Sequence, residues 1–175
     1  MLNHYNPVTI SNLKNGAHFY YHGVEWIKLG NEQEGALAIT DHTLFKTRFD
    51  MWHHCNKFNE AEIFEELNEW IRKHADLNDL RVYTINMMDD RGCKSYGKAS
   101  CFCGLLTAEL KRKYFEEIPN FHCCWWLATP WRANGNEVIV VADGNMDEFD
   151  RCYVGNICQA IPTCIFELTT EVKQC

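Results

Sequence analysis

The stretch HFYYHGVEWIKLGNEQEGALAIT, from His18 to Thr40, decides the fold class. Two of its runs, HFYYHGVEWIKL and ALAIT, are rich in aromatic and β-branched residues and are typical of strands. The polar, glycine-containing segment GNEQEG between them is typical of a hairpin connection. We therefore expect an antiparallel strand pair near the start of the chain.

Two amphipathic segments further along predict helices. Apolar residues recur at helical spacing from Ile63 to Ile71, and Asn59 with Glu62 resembles a capping pair, so a first helix is expected from Ala61 to about Lys73. A second helix is expected for TAELKRKYFEEI, which begins after Thr107 and ends before Pro119.

Strand-like segments flank both helices and return after Trp131, as EVIVVADG, CYVG and CIFEL. Strands, helix, irregular middle, helix and strands make an α+β order. We expect the strand near His18 to Leu29 to lie beside a terminal strand near Cys164 to Leu168, which closes one antiparallel sheet. Long irregular loops would connect the elements.

Composition limits the class of protein. The chain has 175 residues, 46% of them hydrophobic, which is enough for one domain over residues 1–175. Its formal net charge of -7 argues against direct binding to nucleic acid, which requires a basic face. Neither a signal sequence nor a membrane-spanning segment is evident, so we expect no membrane partner and a cytoplasmic location.

The ten cysteines are interpreted as reduced thiols, because no signal sequence directs the chain to an oxidising compartment. Cys101, Cys103, Cys158 and Cys164 lie among apolar neighbours, as buried thiols do. A thiol enzyme is the alternative, because Cys101 and Cys103 would share one strand face. That chemistry requires a nearby base or cation, for which Lys98 is a sequence-level candidate.

The segment FHCCWWLATPW, from Phe121 to Trp131, concentrates aromatic residues. We expect a central strand whose tryptophans anchor two layers of the core, with Trp126 buried; the alternative is that Trp125 or Trp131 stands at the exposed rim of a binding groove. Trp131 is favoured for the rim because the polar turn residues Arg132 and Asn134 follow it.

Two polar loops are the predicted binding surface, one around Asp89 to Lys98 and the other around Trp131 to Asn136. An exposed aromatic residue beside charged groups is typical of a binding contact. The candidate binding residues are Trp131, Arg132, Asn134, Asp89, Asp90 and Arg91.

Metal sites are weaker alternatives. His53, His54 and Cys55 form one group of zinc-type ligands, and His122, Cys123 and Cys124 form another, but the chain has no Cys-x-x-Cys. Asp143, Asn145 and Asp147 have the opening of a calcium loop, although Glu148 replaces the glycine that such a loop requires. No cofactor is expected apart from these two alternatives, calcium and zinc.

The order of several motifs resembles a family of uncharacterised domains from Firmicutes and their phages. That family has a Gly-x-x-Trp strand, then Trp-Trp-Leu-Arg-Ser-Pro and Val-Arg-Pro-Ala-Leu motifs, and the resemblance covers about residues 13 to 168. Ala128 and Thr129 replace the Arg and Ser of the family pattern. The matching segments here are NGAHFYYHGVEWIKLG, FNEAEIFEELNEWI, GLLTAEL, WWLATP, VVADG and GNICQAIPTCIFEL.

The resemblance implies a C-type-lectin-like fold, related to the scaffold of the formylglycine-generating enzyme. On this basis we expect a non-catalytic binding module that engages a protein partner, or a small ligand, through its loops. Inhibition of a host defence protein by a phage-encoded chain is the more specific hypothesis. The alternative is a thiol- or metal-dependent enzyme on the same scaffold. The sequence does not determine the oligomeric state.

Overall fold

A computed structural model describes residues 7–142 and 149–175 of the chain. Two α-helices and fifteen strands lie in these residues. The helices are α1 (Glu62–His74) and α2 (Ala108–Lys113). The strands are β1 (Pro7–Thr9), β2 (His18–Tyr21), β3 (Val24–Glu32), β4 (Gly35–Thr40), β5 (Phe45–Arg48), β6 (Leu80–Arg81), β7 (Tyr83–Asn86), β8 (Lys98–Cys101), β9 (Cys103–Gly104), β10 (Trp125–Pro130), β11 (Glu137–Val141), β12 (Phe149–Tyr153), β13 (Ile157–Ala160), β14 (Thr163–Phe166) and β15 (Glu171–Gln174).

Three sheets contain all of these strands. The first has the order β1-β15-β2-β3-β4-β14-β6, with β9 also paired to β14, and the second has the order β12-β11-β10-β13-β5. The third is the pair β7-β8. Pairing is antiparallel throughout the described strands except between β10 and β13. Mostly antiparallel sheets with two helices make the fold α+β, as the sequence predicts.

The run expected as one strand from His18 to Leu29 is two strands, β2 and β3. His22 and Gly23 have φ values of 47° and 82° and form a two-residue turn between Tyr21 and Val24. Two left-handed residues give such a turn the twist of the strands that it joins. The hairpin expected between HFYYHGVEWIKL and ALAIT is present as β3 and β4.

The strand predicted to lie beside His18 to Leu29, near Cys164 to Leu168, pairs elsewhere in the sheet. β14 (Thr163–Phe166) pairs with β4, not with the strands of His18 to Leu29. The strand beside β2 is β15 (Glu171–Gln174), which the sequence analysis did not predict. All of these strands still belong to one antiparallel sheet, and β15 also pairs with β1.

Helix α1 begins without the predicted capping pair. Asn59 lies in a short 3-10 turn, and the residue before α1 is Ala61, which supplies no side-chain cap. The Glu62 carboxylate instead accepts a hydrogen bond from the Met51 backbone N–H at 2.6 Å. Ile63, Leu67 and Ile71 are buried, as their helical spacing predicts.

Helix α2 begins at the predicted place but is shorter than expected. The Thr107 hydroxyl accepts a hydrogen bond from the Leu110 N–H at 3.1 Å, which caps the helix. The helix ends before Tyr114, whose hydroxyl donates to Glu32 at 2.7 Å. A Cβ at Gly30 would lie 2.5 Å from the Tyr114 ring, so glycine permits this close packing.

One cluster of buried hydrophobic residues includes side chains from the first two sheets. In the first sheet, Phe166 makes edge-to-face contacts with Phe19 and Trp26. In the second, Trp126 packs against Phe49 with ring centroids 5.6 Å apart, and β10 is the central strand as predicted. Loops that leave the second and third sheets position the candidate site.

Candidate binding site in three converging loops

The two loops predicted to bind meet each other, and a third loop joins them. We name the set of residues 50–57, 87–97 and 131–136 the loop cluster. Asp89 connects two of the loops: its carboxylate accepts hydrogen bonds from the backbone N–H groups of Arg91 at 3.0 Å, Cys93 at 2.8 Å and Ala133 at 3.0 Å. Asp89 is a buried residue, so it holds the loops in place and is not free to contact a partner.

The environment of Asp89 favours its charged form. Burial alone would raise the pKa of this carboxyl. The three backbone N–H donors, from Ala133, Cys93 and Arg91, outweigh that effect and hold the pKa below its ordinary value. The carboxylate therefore stabilises the loop junction as an anion.

Asn56 and Tyr96 connect the third loop. The Asn56 amide donates to the backbone oxygens of Arg132 at 2.7 Å and Glu137 at 2.8 Å. Its carbonyl oxygen accepts from the Tyr96 hydroxyl at 2.7 Å, and that hydroxyl accepts from the Asn134 N–H. Asn56 is fully buried, so this network fixes all three loops relative to one another.

Four of the predicted binding residues are exposed on this framework: Asp90, Arg91, Arg132 and Asn134. Asp90 lies 3.5 Å from the Arg112 guanidinium, and Asn134 adopts a left-handed conformation with a φ of 61°. These side chains remain available to a partner.

Trp131 is less exposed than the sequence analysis expects. The residue is half-buried, and its indole N–H is buried with no acceptor among the described residues. The Arg151 guanidinium lies 5.7 Å from the centre of its ring. Trp125, the other rim candidate, is fully buried and belongs to the core. Both faces of β10 are covered, which strand alternation alone could not reveal.

An exposed tryptophan occurs elsewhere in the loop cluster, at Trp52. Its side chain is 76% exposed and stands beside Met51. Both residues line a groove of about 320 Å³ together with Ile157, which is 58% exposed. The sequence analysis did not predict this apolar group, because the adjacent His53, His54 and Cys55 are residues typical of zinc ligands. Two large apolar residues in a polar loop are the signal that could have identified it.

Charged side chains border the Trp52 groove. Glu62 and Glu66 of α1 line it, as do Lys46 and Arg48 of β5. Glu66 also accepts a hydrogen bond from the Thr47 hydroxyl at 2.8 Å. The exposed Glu65 and Glu69 extend the acidic face along the helix, while Asp143, Asp147 and Glu148 lie outside the described residues.

The zinc-type groups predicted from sequence do not converge. His53 contacts Asp50, His54 contacts the Tyr153 hydroxyl at 2.7 Å, and Cys55 contacts Glu60. Within residues 7–142 and 149–175, neither this group nor the one at His122 forms a set of metal-ligating atoms. The calcium candidates Asp143, Asn145 and Asp147 lie outside the described residues.

The thiols proposed for nucleophilic chemistry are in unfavourable surroundings. Cys101 is buried, and burial raises its thiol pKa. Its sulfur lies 3.7 Å from the Tyr83 carbonyl oxygen, to which the thiol donates. A raised pKa lowers the thiolate fraction at neutral pH, so Cys101 is poorly suited to act as a nucleophile.

A larger groove, of about 690 Å³, lies away from the loop cluster. Residues from the β2–β3 turn and from β15 line it, among them Tyr20, His22 and Lys173. Its volume is within the range of small-molecule sites. The sequence analysis did not predict it, because its lining comes from both ends of the chain.

Comparisons of the chain with protein-family models, with curated proteins and with solved structures gave no match. Neither helix in the described part of the chain has the length and apolar character needed to cross a membrane.

Proposed function

We propose that the chain is a non-catalytic binding module that engages a protein partner through the loop cluster and the adjoining Trp52 groove. The exposure of Trp52 carries this proposal. Tryptophan is among the residues that most often dominate the energy of protein interfaces. A tryptophan that is 76% exposed beside two further exposed apolar residues is suited to insert into a partner's pocket.

The rigidity of the surrounding loops supports the same function. Hydrogen bonds to Asp89 and Asn56 fix the loops before any partner arrives. A surface that is ordered in advance loses less conformational entropy on binding, so more of the contact energy becomes affinity. The exposed side chains of Asp90, Arg91, Arg132 and Asn134 would supply the polar rim around this surface.

Charge favours a partner with a basic surface. The chain has a net charge of -7, and the exposed acidic face of α1 continues from the Trp52 groove. Opposite charge around an apolar contact accelerates association and excludes unsuitable partners. Lys46 and Arg48 also line the groove and would contribute to the orientation of the partner.

The scaffold itself is proposed to be C-type-lectin-like. Two features support this assignment: strands β1 and β15 are paired near the two ends of the chain, and long loops leave a mostly antiparallel core. Inhibition of a host defence protein is the more specific proposal within the binding class. It rests on the motif resemblance to domains of Firmicutes phages.

A comparative pull-down tests the binding proposal. The wild-type chain and Trp52→Ala are immobilised and exposed to lysate of the cells in which the gene is expressed, and bound proteins are quantified by mass spectrometry. We expect at least one protein to be retained by the wild type and reduced about tenfold or more by Trp52→Ala, as for a hot-spot residue.

Val82→Ala is the matched control, because Val82 is 50% exposed but lies outside the loop cluster and the Trp52 groove. It should retain the same proteins as the wild type. Circular dichroism confirms that all three proteins are folded. Equal retention of every bound protein by wild type and Trp52→Ala would contradict the proposal.

A further inference from the structure

Four adjacent strands of the first sheet bring together side chains that are distant in sequence. His18 begins β2, Glu25 lies in β3, Asp41 follows β4 and Cys175 follows β15. Backbone hydrogen bonds fix their positions. The Cys175 N–H donates to the backbone oxygen of His18 at 3.2 Å, and the Asp41 N–H donates to the backbone oxygen of Glu25 at 3.0 Å. Register places Tyr20 opposite Glu25, so these residues share one face of the sheet.

The polar atoms on this face converge. His18 Nδ1 lies 3.2 Å from Glu25 Oε1 and 3.2 Å from Asp41 Oδ1. The three ligand atoms all lie within 4.8 Å of one another. Cys175 Sγ lies 3.7 Å from Glu25 Oε1. The imidazole has one N–H or one lone pair at Nδ1, so the two carboxylate oxygens would share this single position.

These separations match those of ligands around one small divalent cation. Nitrogen and oxygen ligands about 2.0 to 2.1 Å from a tetrahedral zinc ion lie about 3.3 Å apart. Both distances from His18 Nδ1, 3.2 Å to Glu25 Oε1 and 3.2 Å to Asp41 Oδ1, are close to this value. The Cys175 thiol lies beside Glu25 but outside the group of three ligand atoms.

Tyr20 orients one of the ligands. Its hydroxyl donates to Glu25 Oε2 at 2.9 Å, which leaves Oε1 directed at His18 and Cys175. Metal-binding carboxylates are commonly held in this way by a hydrogen bond to the oxygen that does not bind the ion. The side chains of His18, Glu25 and Asp41 are partly exposed, so an ion can reach them from solvent.

We propose that His18, Glu25 and Asp41 bind a divalent transition-metal ion of the zinc class. One nitrogen and two carboxylate oxygens are a suitable set of three protein ligands for Zn²⁺, whose fourth position is then open to water. The site lies outside the loop cluster, so it does not depend on the proposed partner-binding function. The competing arrangement is a protonated His18 held between two carboxylates with no affinity for metal.

Binding of Zn²⁺ to the metal-depleted protein tests the proposal. Titration calorimetry of the reduced full-length chain should show one Zn²⁺ per chain. Loss of a ligand should weaken binding at least about tenfold in His18→Gln and in Glu25→Gln, which is the lower range found even for residues that only support a ligand. The control is His22→Asn, since His22 is exposed nearby and asparagine tolerates its left-handed backbone.

Cobalt spectroscopy separates this site from binding at thiols. The wild-type chain with one equivalent of Co²⁺ should show visible d–d bands without a thiolate-to-cobalt charge-transfer band, and these bands should weaken in His18→Gln. A charge-transfer band at one equivalent would show that the ion binds at cysteines and would refute the assignment. No Zn²⁺ binding by the wild type, or equal binding by wild type, His18→Gln and Glu25→Gln, would overturn the site itself.

Discussion

The carboxylate of Asp89 accepts a hydrogen bond from the backbone N–H of Ala133 at 3.0 Å, and this contact joins two loops that are far apart in sequence. Removing the carboxylate leaves three backbone N–H groups without their acceptor. We expect Asp89→Ala to lower the free energy of unfolding by about 1 to 3 kcal/mol, the range for a lost hydrogen bond to a charged group. Urea denaturation of the wild type and the variant measures this difference.

Asp90→Ala is the control for that prediction. The Asp90 carboxylate is more exposed and makes a 3.5 Å contact with Arg112, which is a surface ion pair of little value. Its loss should change the free energy of unfolding by less than about 0.5 kcal/mol. Equal destabilisation by the two variants would contradict the role assigned to Asp89.

The acid stability of the protein should depend on Asp89. Its pKa is lowered in the folded state, so the folded protein binds a proton at this group less readily than the unfolded chain. The resulting stability is fully present above the unfolded pKa of about 3.9 and is lost as the pH falls through the folded pKa. Melting temperatures measured across the acidic range should fall less steeply for Asp89→Asn than for the wild type.

Trp126 and Trp131 should differ in their contribution to stability. Trp126 is fully buried, and its indole N–H donates to the Thr47 carbonyl at 3.0 Å. Trp126→Ala should cost about 3 to 5 kcal/mol. Trp131 is only half-buried, yet it packs against the core, so Trp131→Ala should cost about 1 to 3 kcal/mol. The exposed position predicted from the sequence would instead leave the melting temperature of Trp131→Ala nearly unchanged, so the structure corrects that prediction.

Trp131→Phe separates packing from hydrogen bonding at the same position. The change keeps an aromatic ring and removes an indole N–H that has no acceptor among the described residues. We expect Trp131→Phe to be less destabilising than Trp131→Ala in thermal denaturation. The reverse order would contradict the packing role assigned to the aromatic ring.

The ten thiols should differ in their rates of alkylation. Cys93 and Cys175 are exposed, whereas Cys103 and Cys164 are fully buried, and burial raises the thiol pKa of Cys164 well above its ordinary value. Iodoacetamide should therefore modify Cys93 and Cys175 in the folded protein and the buried pair only after denaturation. Peptide mass spectrometry measures the order, and fast native labelling of Cys164 would contradict the structure.

Metal gives the alkylation experiment a second use. If His18, Glu25 and Asp41 hold the ion without a thiol, one equivalent of Zn²⁺ should leave the alkylation rate of Cys93 unchanged. Slowed modification of Cys93 would indicate that the metal binds to exposed cysteines.

The sequence predicted the elements whose residues follow a clear period. Ile63, Leu67 and Ile71 recur every four residues and form one buried stripe, and helix α1 contains all three of them. The short strands β5, β13 and β15 were not predicted. Each has four residues, and their burial alternates with exposed positions too briefly to give a periodic signal.

The candidate site was predicted in part. The loops around Asp89 and Trp131 do meet. The sequence could not show that the Asp89 carboxylate is occupied by backbone hydrogen bonds, or that Trp131 is half-buried. Both facts depend on contacts between residues far apart in the chain. The proposed metal ligands have the same property, because His18, Glu25 and Asp41 become neighbours only through the pairing of β2, β3 and β4.

The pairing of β15 with both β1 and β2 also sets a limit on how the protein is made. During synthesis on the ribosome, β2, β3 and β4 emerge early. The outer edge of β2 stays unpaired until residues 171–174, which form β15, have left the exit tunnel. An ion bound by His18, Glu25 and Asp41 would join β2, β3 and β4 before β15 has paired with β2.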